Sequence, residues 1–144
     1  MSQKKVIKAL KQVQSDSLAL FIKLHNYNLN VEGMNFMAVQ NATETLYDAM
    51  AKLFKDSGEQ IVLLDQKPLV TPEELMKNTR IKSDGQLSMD VEYIVKNVVG
   101  DLEIMLRDME ELAGVCSEEA VSLKEFAADH KAFFKRESGV FNSL

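Results

Sequence analysis

The amino-acid sequence predicts an all-α protein, a bundle of four long helices with one longer crossover connection. Helix breakers are rare, because the chain of 144 residues contains only 6 Gly and 2 Pro. Hydrophobic residues make up 46% of the chain and charged residues 27%, which is typical of a globular protein. Apolar residues recur every three or four positions over long stretches, the pattern of a buried helix face. We expect one domain over residues 1–144.

The charge and the cysteine content narrow the class of protein. A formal net charge of −5 argues against a strongly basic nucleic-acid-binding protein, although a local basic patch is compatible with it. Cys116 is the only cysteine, so no disulfide can form within the chain and a reducing compartment fits best. Residues 1–17 contain no continuous apolar run and resemble neither a signal peptide nor a membrane span. We therefore expect a cytoplasmic protein without a membrane partner.

Two long helices are predicted on either side of Gly33. Residues 4–31 carry an apolar stripe without proline, which predicts a helix roughly 40 Å long. Gly33 offers a left-handed turn at its end, and Asn35 can cap the next helix. Residues 35–64 repeat the apolar spacing and form the second helix. Gly58 lies inside it at a cost of up to ~1 kcal/mol relative to alanine, so we expect close packing there.

A short helix is predicted in the connection between the second and third long helices. Thr71 precedes Pro72, and Glu74 follows at the third helical position, which together form a strong helix-start signal. The connection spans about 25 residues, far more than an antiparallel turn needs. A four-helix bundle with one long crossover is the ferritin-like arrangement.

The last two long helices are predicted over residues 90–113 and from Ser117 onward. Apolar residues in the first of them recur in near-heptad steps, and Gly114 is expected to end it. Ser117 is expected to cap the last helix, with Glu118 and Glu119 placed near the positive end of its dipole.

The residues available for metal binding do not predict a site inside one bundle. Ferritin-like bundles bind metal through inward carboxylates and histidines, often in Glu-x-x-His pairs. This sequence has two histidines, His25 and His130, and neither belongs to such a pair.

Three distinctive runs carry a family resemblance. The runs are HNYNLNVEGMNF from His25, LYDAMAKLFKDSGEQIVLL from Leu46 and KPLVTPEELMKNTRIK from Lys67. Together they resemble the Dps family of mini-ferritins, DNA-binding proteins from starved cells. The similarity covers nearly the whole chain and is strongest over residues 24–81. It implies a dodecameric shell of four-helix subunits, with an iron-oxidising ferroxidase centre at the two-fold interface between subunits.

The resemblance also indicates where the family's ferroxidase ligands fall, from the motif His-x11-His-x3-Asp-x10-Asp-x3-Glu. The same spacing falls, without a gap, on Asn28, Gln40, Glu44, Lys55 and Glu59. Only Glu59 keeps the family residue, and Glu44 keeps the charge. Fe(II) prefers imidazole and carboxylate ligands, so two amides and an ammonium are poor replacements. We expect the ordinary centre to be largely lost, with weak iron binding through Glu44 and Glu59 at most.

Lys55 is expected to take the place of the metal's charge. Its ammonium can pair with Glu44 and Glu59, which would compensate these carboxylates without iron. Whether the protein is an enzyme stays open, because it resembles ferroxidases while its ligand positions are substituted. The alternatives are an active mini-ferritin that oxidises Fe(II) through a modified site, and a shell mixed with an active relative.

Two charged surfaces are further candidates. The pores that admit iron are acidic in this family, so Glu118 and Glu119 are candidate pore residues. A Lys-rich tail binds DNA phosphates in some members. The candidate DNA contacts here are Lys4, Lys5, Lys8 and Lys11. Because these lysines begin within a helical pattern, a solvated helix face is the favoured interpretation. An iron-independent DNA-binding protector stays an alternative, since many copies in a shell add avidity.

Overall fold

The structure, a computed structural model that describes residues 3–144, consists of four long helices and one short helix. The helices are α1 (Gln3–Asn30), α2 (Phe36–Leu63), α3 (Pro72–Asn78), α4 (Val91–Val115) and α5 (Val121–Asn142). Helix α1 packs along α2 and also against α4 and α3, while α4 packs along α5. The predicted all-α bundle with a short crossover helix is confirmed. Within the described residues, none of the helices combines the length and the apolarity that a membrane crossing requires.

The core follows the apolar stripes of the sequence. The main cluster joins all four long helices and includes the fully buried side chains of Leu20, Leu46, Met105 and Phe134. A smaller cluster near the start of α1 contains Ile7, Leu10, Ile61, Leu112 and Leu123. Full burial of one such side chain contributes ~1.5–3 kcal/mol. The residues whose spacing predicts the helices therefore also hold the bundle together.

The predicted helix-start and helix-end signals are confirmed at Thr71 and Gly33 but not at Asn35. Thr71 caps α3 as predicted, because its Oγ1 accepts from Glu74 N at 3.3 Å and donates to Glu74 Oε1 at 2.9 Å. Gly33 adopts the predicted left-handed conformation with φ 96°. Asn35 stands at the N-cap position of α2, but its side chain makes no capping hydrogen bond. Its backbone is left-handed, with φ 68°, whereas a capping side chain needs the extended conformation.

The connection between α4 and α5 departs from the prediction. Helix α4 continues through Gly114 to Val115, and Ser117 does not cap α5, which begins after Ala120. Val115 and the buried Cys116 belong to the smaller cluster, so their burial outweighs the tendency of glycine to end a helix. Gly58 also packs less closely than predicted, since a Cβ atom there would meet Gln14 Nε2 only at 3.4 Å.

Buried polar groups attach the crossover segment, residues 64–90, to the bundle. The fully buried Asp16 of α1 accepts hydrogen bonds from Thr79 Oγ1 and from the Arg80 backbone N–H, both at 2.7 Å. Arg80 also reaches Glu111 of α4, with 3.1 Å between Nη1 and Oε1. The residues that follow α3 are therefore held by two helices at once.

A second set of buried polar groups fixes the later part of the same segment. Asp84 Oδ2 accepts from the hydroxyls of Tyr27 at 2.7 Å and Tyr93 at 2.8 Å. Burial opposes the ionisation of Asp84, but these hydroxyls and the Gln86 N–H outweigh it and lower the pKa of the carboxyl. Close by in α1, Lys23 forms a buried salt bridge of 2.9 Å with Asp101 of α4.

Asp108 of α4 completes the contact around Asp16. Its side chain is fully buried, and no group within residues 3–144 donates a hydrogen bond to its Oδ2. Burial, and next the neighbouring Asp16, raise the pKa of Asp108 to about 10. Asp108 is therefore a neutral carboxylic acid at pH 7, and its O–H donates to Asp16.

We expect the substitution Asp108→Asn to stabilise the protein increasingly as the pH rises. The folded protein keeps a proton on Asp108 that the unfolded chain releases above the ordinary value of 3.8. The stability of the unsubstituted protein therefore falls with rising pH until Asp108 ionises in the folded state. An asparagine donates to Asp16 without that proton, so its advantage should grow by up to ~1.4 kcal/mol per pH unit.

Melting temperatures of both proteins at several pH values between about 5 and about 9 test this expectation. Asp129→Asn is the matched control, because Asp129 is exposed on α5 and loses the same charge. A gap between Asp108→Asn and the unsubstituted protein that stays constant with pH would mean that Asp108 is already ionised when folded.

Candidate functional site

The side chains of Asn28 on α1 and Gln40 on α2 each donate a hydrogen bond to the backbone of the opposite helix. Asn28 Nδ2 donates to the Gln40 carbonyl oxygen at 2.9 Å and to Thr43 Oγ1 at 3.1 Å. Gln40 Nε2 donates in return to the Asn28 carbonyl oxygen at 3.3 Å. Both side-chain amides therefore hold the end of α1 against the start of α2, where the turn at Gly33 brings the two helices together.

Thr43 is the member of this site that the sequence did not reveal. It lies on the apolar stripe of α2 and is fully buried, and its hydroxyl donates to the Val39 carbonyl oxygen at 2.8 Å. That bond leaves its oxygen able to accept from Asn28. The signal that would have revealed it is a polar residue on an otherwise apolar stripe, one turn after Gln40.

Glu44, Lys55 and Glu59 share one face of α2. They are 11 and 4 positions apart, which is close to three turns and one turn of a helix with about 3.6 residues per turn. Lys55 Nζ lies 3.5 Å from Glu59 Oε1, and both side chains are exposed, at 74% and 58%. Glu44 is also exposed and forms no salt bridge within residues 3–144. The expected ion pair of Lys55 is therefore present with Glu59 and absent with Glu44.

Helix geometry explains why Lys55 does not meet Glu44. Eleven positions separate the two residues, or roughly 16 Å along the helix, which their side chains cannot span. Glu44 and Glu59 lie still farther apart, at roughly 22 Å. Accordingly, the described residues contain no group of three or more His, Cys, Asp or Glu side chains that could hold a metal ion. One chain alone does not assemble these positions into a metal centre.

Exposed apolar side chains flank the same positions. Leu29 follows Asn28 and is 73% exposed, Met37 precedes Gln40 at 65%, and Leu63 lies one turn after Glu59 at 76%. Large apolar side chains are thus exposed at both ends of the row of candidate positions.

His25 is an aromatic packing residue beside this site. Its ring stacks on Tyr47 of α2 with 3.9 Å between centroids and meets Phe21 edge-on at 4.5 Å. Its Nδ1–H donates to the Phe21 carbonyl oxygen at 2.7 Å. On α5, burial lowers the pKa of His130, which packs edge-on against Phe126. Both histidines are therefore held in aromatic packing.

The charged candidates lie elsewhere on the surface. Glu118 and Glu119 are exposed in the turn before α5, and Glu118 pairs with Lys124 at 3.2 Å. The lysines of α1 stand on an ordered helix that begins at Gln3. Lys4, Lys5 and Lys8 are exposed there, and Lys11 is half-buried. Within the described residues, no hydrogen bond or salt bridge joins Glu118, Glu119, Lys5, Lys8 or Lys11 to Asn28, Gln40 or the carboxylates of α2.

Comparison with known proteins agrees with this architecture. A family model described as a ferritin-like domain matches residues 7–131. The DNA protection during starvation protein of Helicobacter pylori is 35% identical over 125 residues, which cover 87% of each chain. This is a ferritin-like protein, and within that class the chain belongs to the Dps family of mini-ferritins.

Solved structures share the fold over nearly the whole chain. The crystal structure of CAIP from Helicobacter cinaedi superposes with a TM-score of 0.91 at 29% identity, covering 96% of this chain and 97% of that one. A dodecameric thioferritin from Bacteroides fragilis superposes with a TM-score of 0.93 at 17% identity, covering 99% and 85%. The second likeness shows the common fold alone.

We expect Asn28→Ala to destabilise the protein by about 1–2 kcal/mol, because it removes the contacts of Asn28 to α2 and leaves a buried hydroxyl oxygen without its donor. Urea unfolding at equilibrium measures the change. Asn41→Ala is the matched control, since Asn41 is exposed on the same helix as Gln40. Equal effects of the two substitutions would show that the Asn28 amide contributes no more than a solvated side chain.

Proposed function

We propose that this protein is the subunit of a Dps-like dodecameric shell in the cytoplasm that binds iron weakly, protects against stress, and lacks the ordinary ferroxidase centre. The observation that carries the proposal is the state of Asn28 and Gln40. Both occupy ligand positions of the family motif, and the side-chain amide of each donates a hydrogen bond to a carbonyl oxygen of the opposite helix. These hydrogen bonds hold the two side chains in place, and the amide oxygens that remain are neutral and therefore poor ligands for Fe(II).

The exposed apolar residues around the site support assembly into a shell. Leu29, Met37 and Leu63 would lose contact with water on association, which is favourable in proportion to the apolar area buried. Membership of the Dps family and the dodecameric thioferritin of the same fold support the same assembly. A mixed shell with an active relative would use the same surface.

The positive charge of Lys55 is a second argument that iron oxidation is lost. Glu44 and Lys55 are too far apart to pair within one chain, so in our proposal they meet across the interface between two copies. An ammonium beside these carboxylates compensates their charge when both are removed from water, which is the task that iron would otherwise perform. The same ammonium repels an approaching Fe(II) ion.

We expect the protein to oxidise Fe(II) in air no faster than a protein-free control, as followed by absorbance. The combined substitutions Asn28→His, Gln40→His and Lys55→Asp should restore both Fe(II) binding in a titration and faster oxidation. The matched control carries Asn28→His and Gln40→His alone. It should gain less, because the Lys55 ammonium still occupies the place of a ligand.

The proposal fails if the triple variant assembles normally and gains no Fe(II) binding. It also fails if the unsubstituted protein already oxidises Fe(II) above the control rate, a result that would favour an active mini-ferritin with a modified site. Size-exclusion chromatography of each variant separates lost assembly from lost chemistry.

Glu118 and Glu119 would supply negative charge at an entry pore of the shell. Both are exposed, and the Lys124 ammonium pairs with Glu118, so Glu119 would contribute more of the attraction for cations.

DNA protection is the second candidate, favoured by the exposed lysines on α1 and by the name of the relative from Helicobacter pylori. If it holds, a gel-shift assay at low salt should show retardation that Lys-to-Gln substitution at Lys4, Lys5, Lys8 and Lys11 abolishes. A duplex that migrates unchanged at low salt would remove this candidate.

A further inference from the structure

A groove lies between the first turns of α1 and the crossover segment. Its volume is about 850 Å³, which lies within the range of roughly 300–1,000 Å³ typical of small-molecule sites. Ile7 of α1 and Leu69 of the crossover segment provide apolar surface, and Lys8, Lys11 and Lys77 line its sides. This groove is separate from the positions discussed above as iron ligands.

Hydrogen bonds between its two walls hold the groove in shape. Gln14 of α1 forms two hydrogen bonds with the backbone of Leu69. Its Oε1 accepts from Leu69 N at 3.1 Å, and its Nε2 donates to the Leu69 carbonyl oxygen at 3.3 Å. At one end Gln3 Nε2 donates to the Leu64 carbonyl oxygen at 2.9 Å. At the other, Asn78 Nδ2 donates to the Lys11 carbonyl oxygen at 3.2 Å. A site shaped before binding loses little ordering entropy when it is filled.

The charge of the groove is opposite to that of the whole chain. The formal net charge of the protein is −5, yet the groove is lined by four lysines and one carboxylate, that of Glu74. Lys8, Lys11 and Lys77 form no salt bridge within residues 3–144. Glu74 is engaged instead by the Thr71 hydroxyl at 2.9 Å. A ligand with a negative group would therefore meet the ammonium groups of Lys8, Lys11 and Lys77, which form no salt bridge in the described chain.

We propose that this groove binds a single-chain amphiphile with an anionic head group. The apolar surface at Ile7 and Leu69 would take the hydrocarbon chain, and the ammonium groups of Lys8 and Lys77 would take the carboxylate or phosphate head. The lysine stems add apolar surface on either side of the hydrocarbon chain. Duplex DNA fits less well, because it is too wide to enter such a groove and its phosphates gain nothing from an apolar floor.

Calorimetric titration of the assembled full-length protein tests the proposal. Dodecanoate and dodecyl phosphate, both below their micelle concentrations, should bind saturably at one molecule per chain. Dodecyltrimethylammonium tests the sign of the head group, and acetate and inorganic phosphate test the need for the chain. Each of these three should bind at least ~tenfold more weakly.

Two matched variants locate the site. Lys8→Gln with Lys77→Gln should weaken dodecanoate binding by at least ~tenfold. Lys96→Gln with Lys135→Gln removes the same charge from exposed lysines outside the groove and should leave the affinity within about twofold.

Three outcomes would overturn the proposal. The first is the absence of saturable dodecanoate binding, which would also result if neighbouring copies cover the groove. The second is an equal loss of affinity in both double variants, which would indicate general charge attraction. The third is that Lys8→Gln with Lys77→Gln abolishes the retardation of duplex DNA while dodecanoate does not bind, which would assign the surface to nucleic acid.

Discussion

Asp16 is buried on α1, and its carboxylate holds the crossover segment against the bundle. Its bonds to Thr79 and Arg80 direct the chain from α3 toward the start of α4, and the bonds of Asp84 to Tyr27 and Tyr93 hold the segment farther on. A buried carboxylate is costly unless donors surround it, and here backbone, hydroxyl and amide donors are joined by the acid proton of Asp108. The path of the crossover therefore depends on groups supplied by three separate segments.

That path decides where the second wall of the groove stands. The crossover segment carries Leu69 and Lys77 beside the first turns of α1, so lysines from distant parts of the sequence line one cavity. Gln14, which precedes Asp16 by two residues on α1, holds the same segment at Leu69 through two hydrogen bonds. Binding in this groove and the iron chemistry of the Dps family would thus use different faces of α1, and loss of one need not affect the other.

The residues that specify the bundle differ from those that would specify metal binding at the candidate iron site. Apolar stripes on four helices specify the bundle, and only a few polar positions specify metal binding, so the latter can change while the fold stays. Here Asn28 and Gln40 hold α1 to α2 with neutral hydrogen bonds that need no metal. Lys55 and Glu59 already form an ion pair on the surface of α2. Such an exposed pair contributes little by itself, and its effect would grow only where an interface excludes water.

The sequence by itself determined the helices and the residue types at the candidate ligand positions. Periodicity locates four long helices, because a buried stripe is a local property of each segment, and the Thr71 signal is equally local. Residue identity alone shows that imidazole is absent at positions 28 and 40. Predictions at Asn35, Gly114 and Ser117 were wrong, since backbone conformation and burial from other helices outweighed local preference there.

Only the tertiary structure decided which distant groups meet. It showed that Thr43 accepts from Asn28, that Lys55 within one chain pairs with Glu59 and not with Glu44, and that burial raises the pKa of Asp108. It also joined Lys77 to the lysines of α1 around one groove. Each of these facts depends on distances and on burial between segments far apart in the chain, and a residue's type and spacing carry neither quantity.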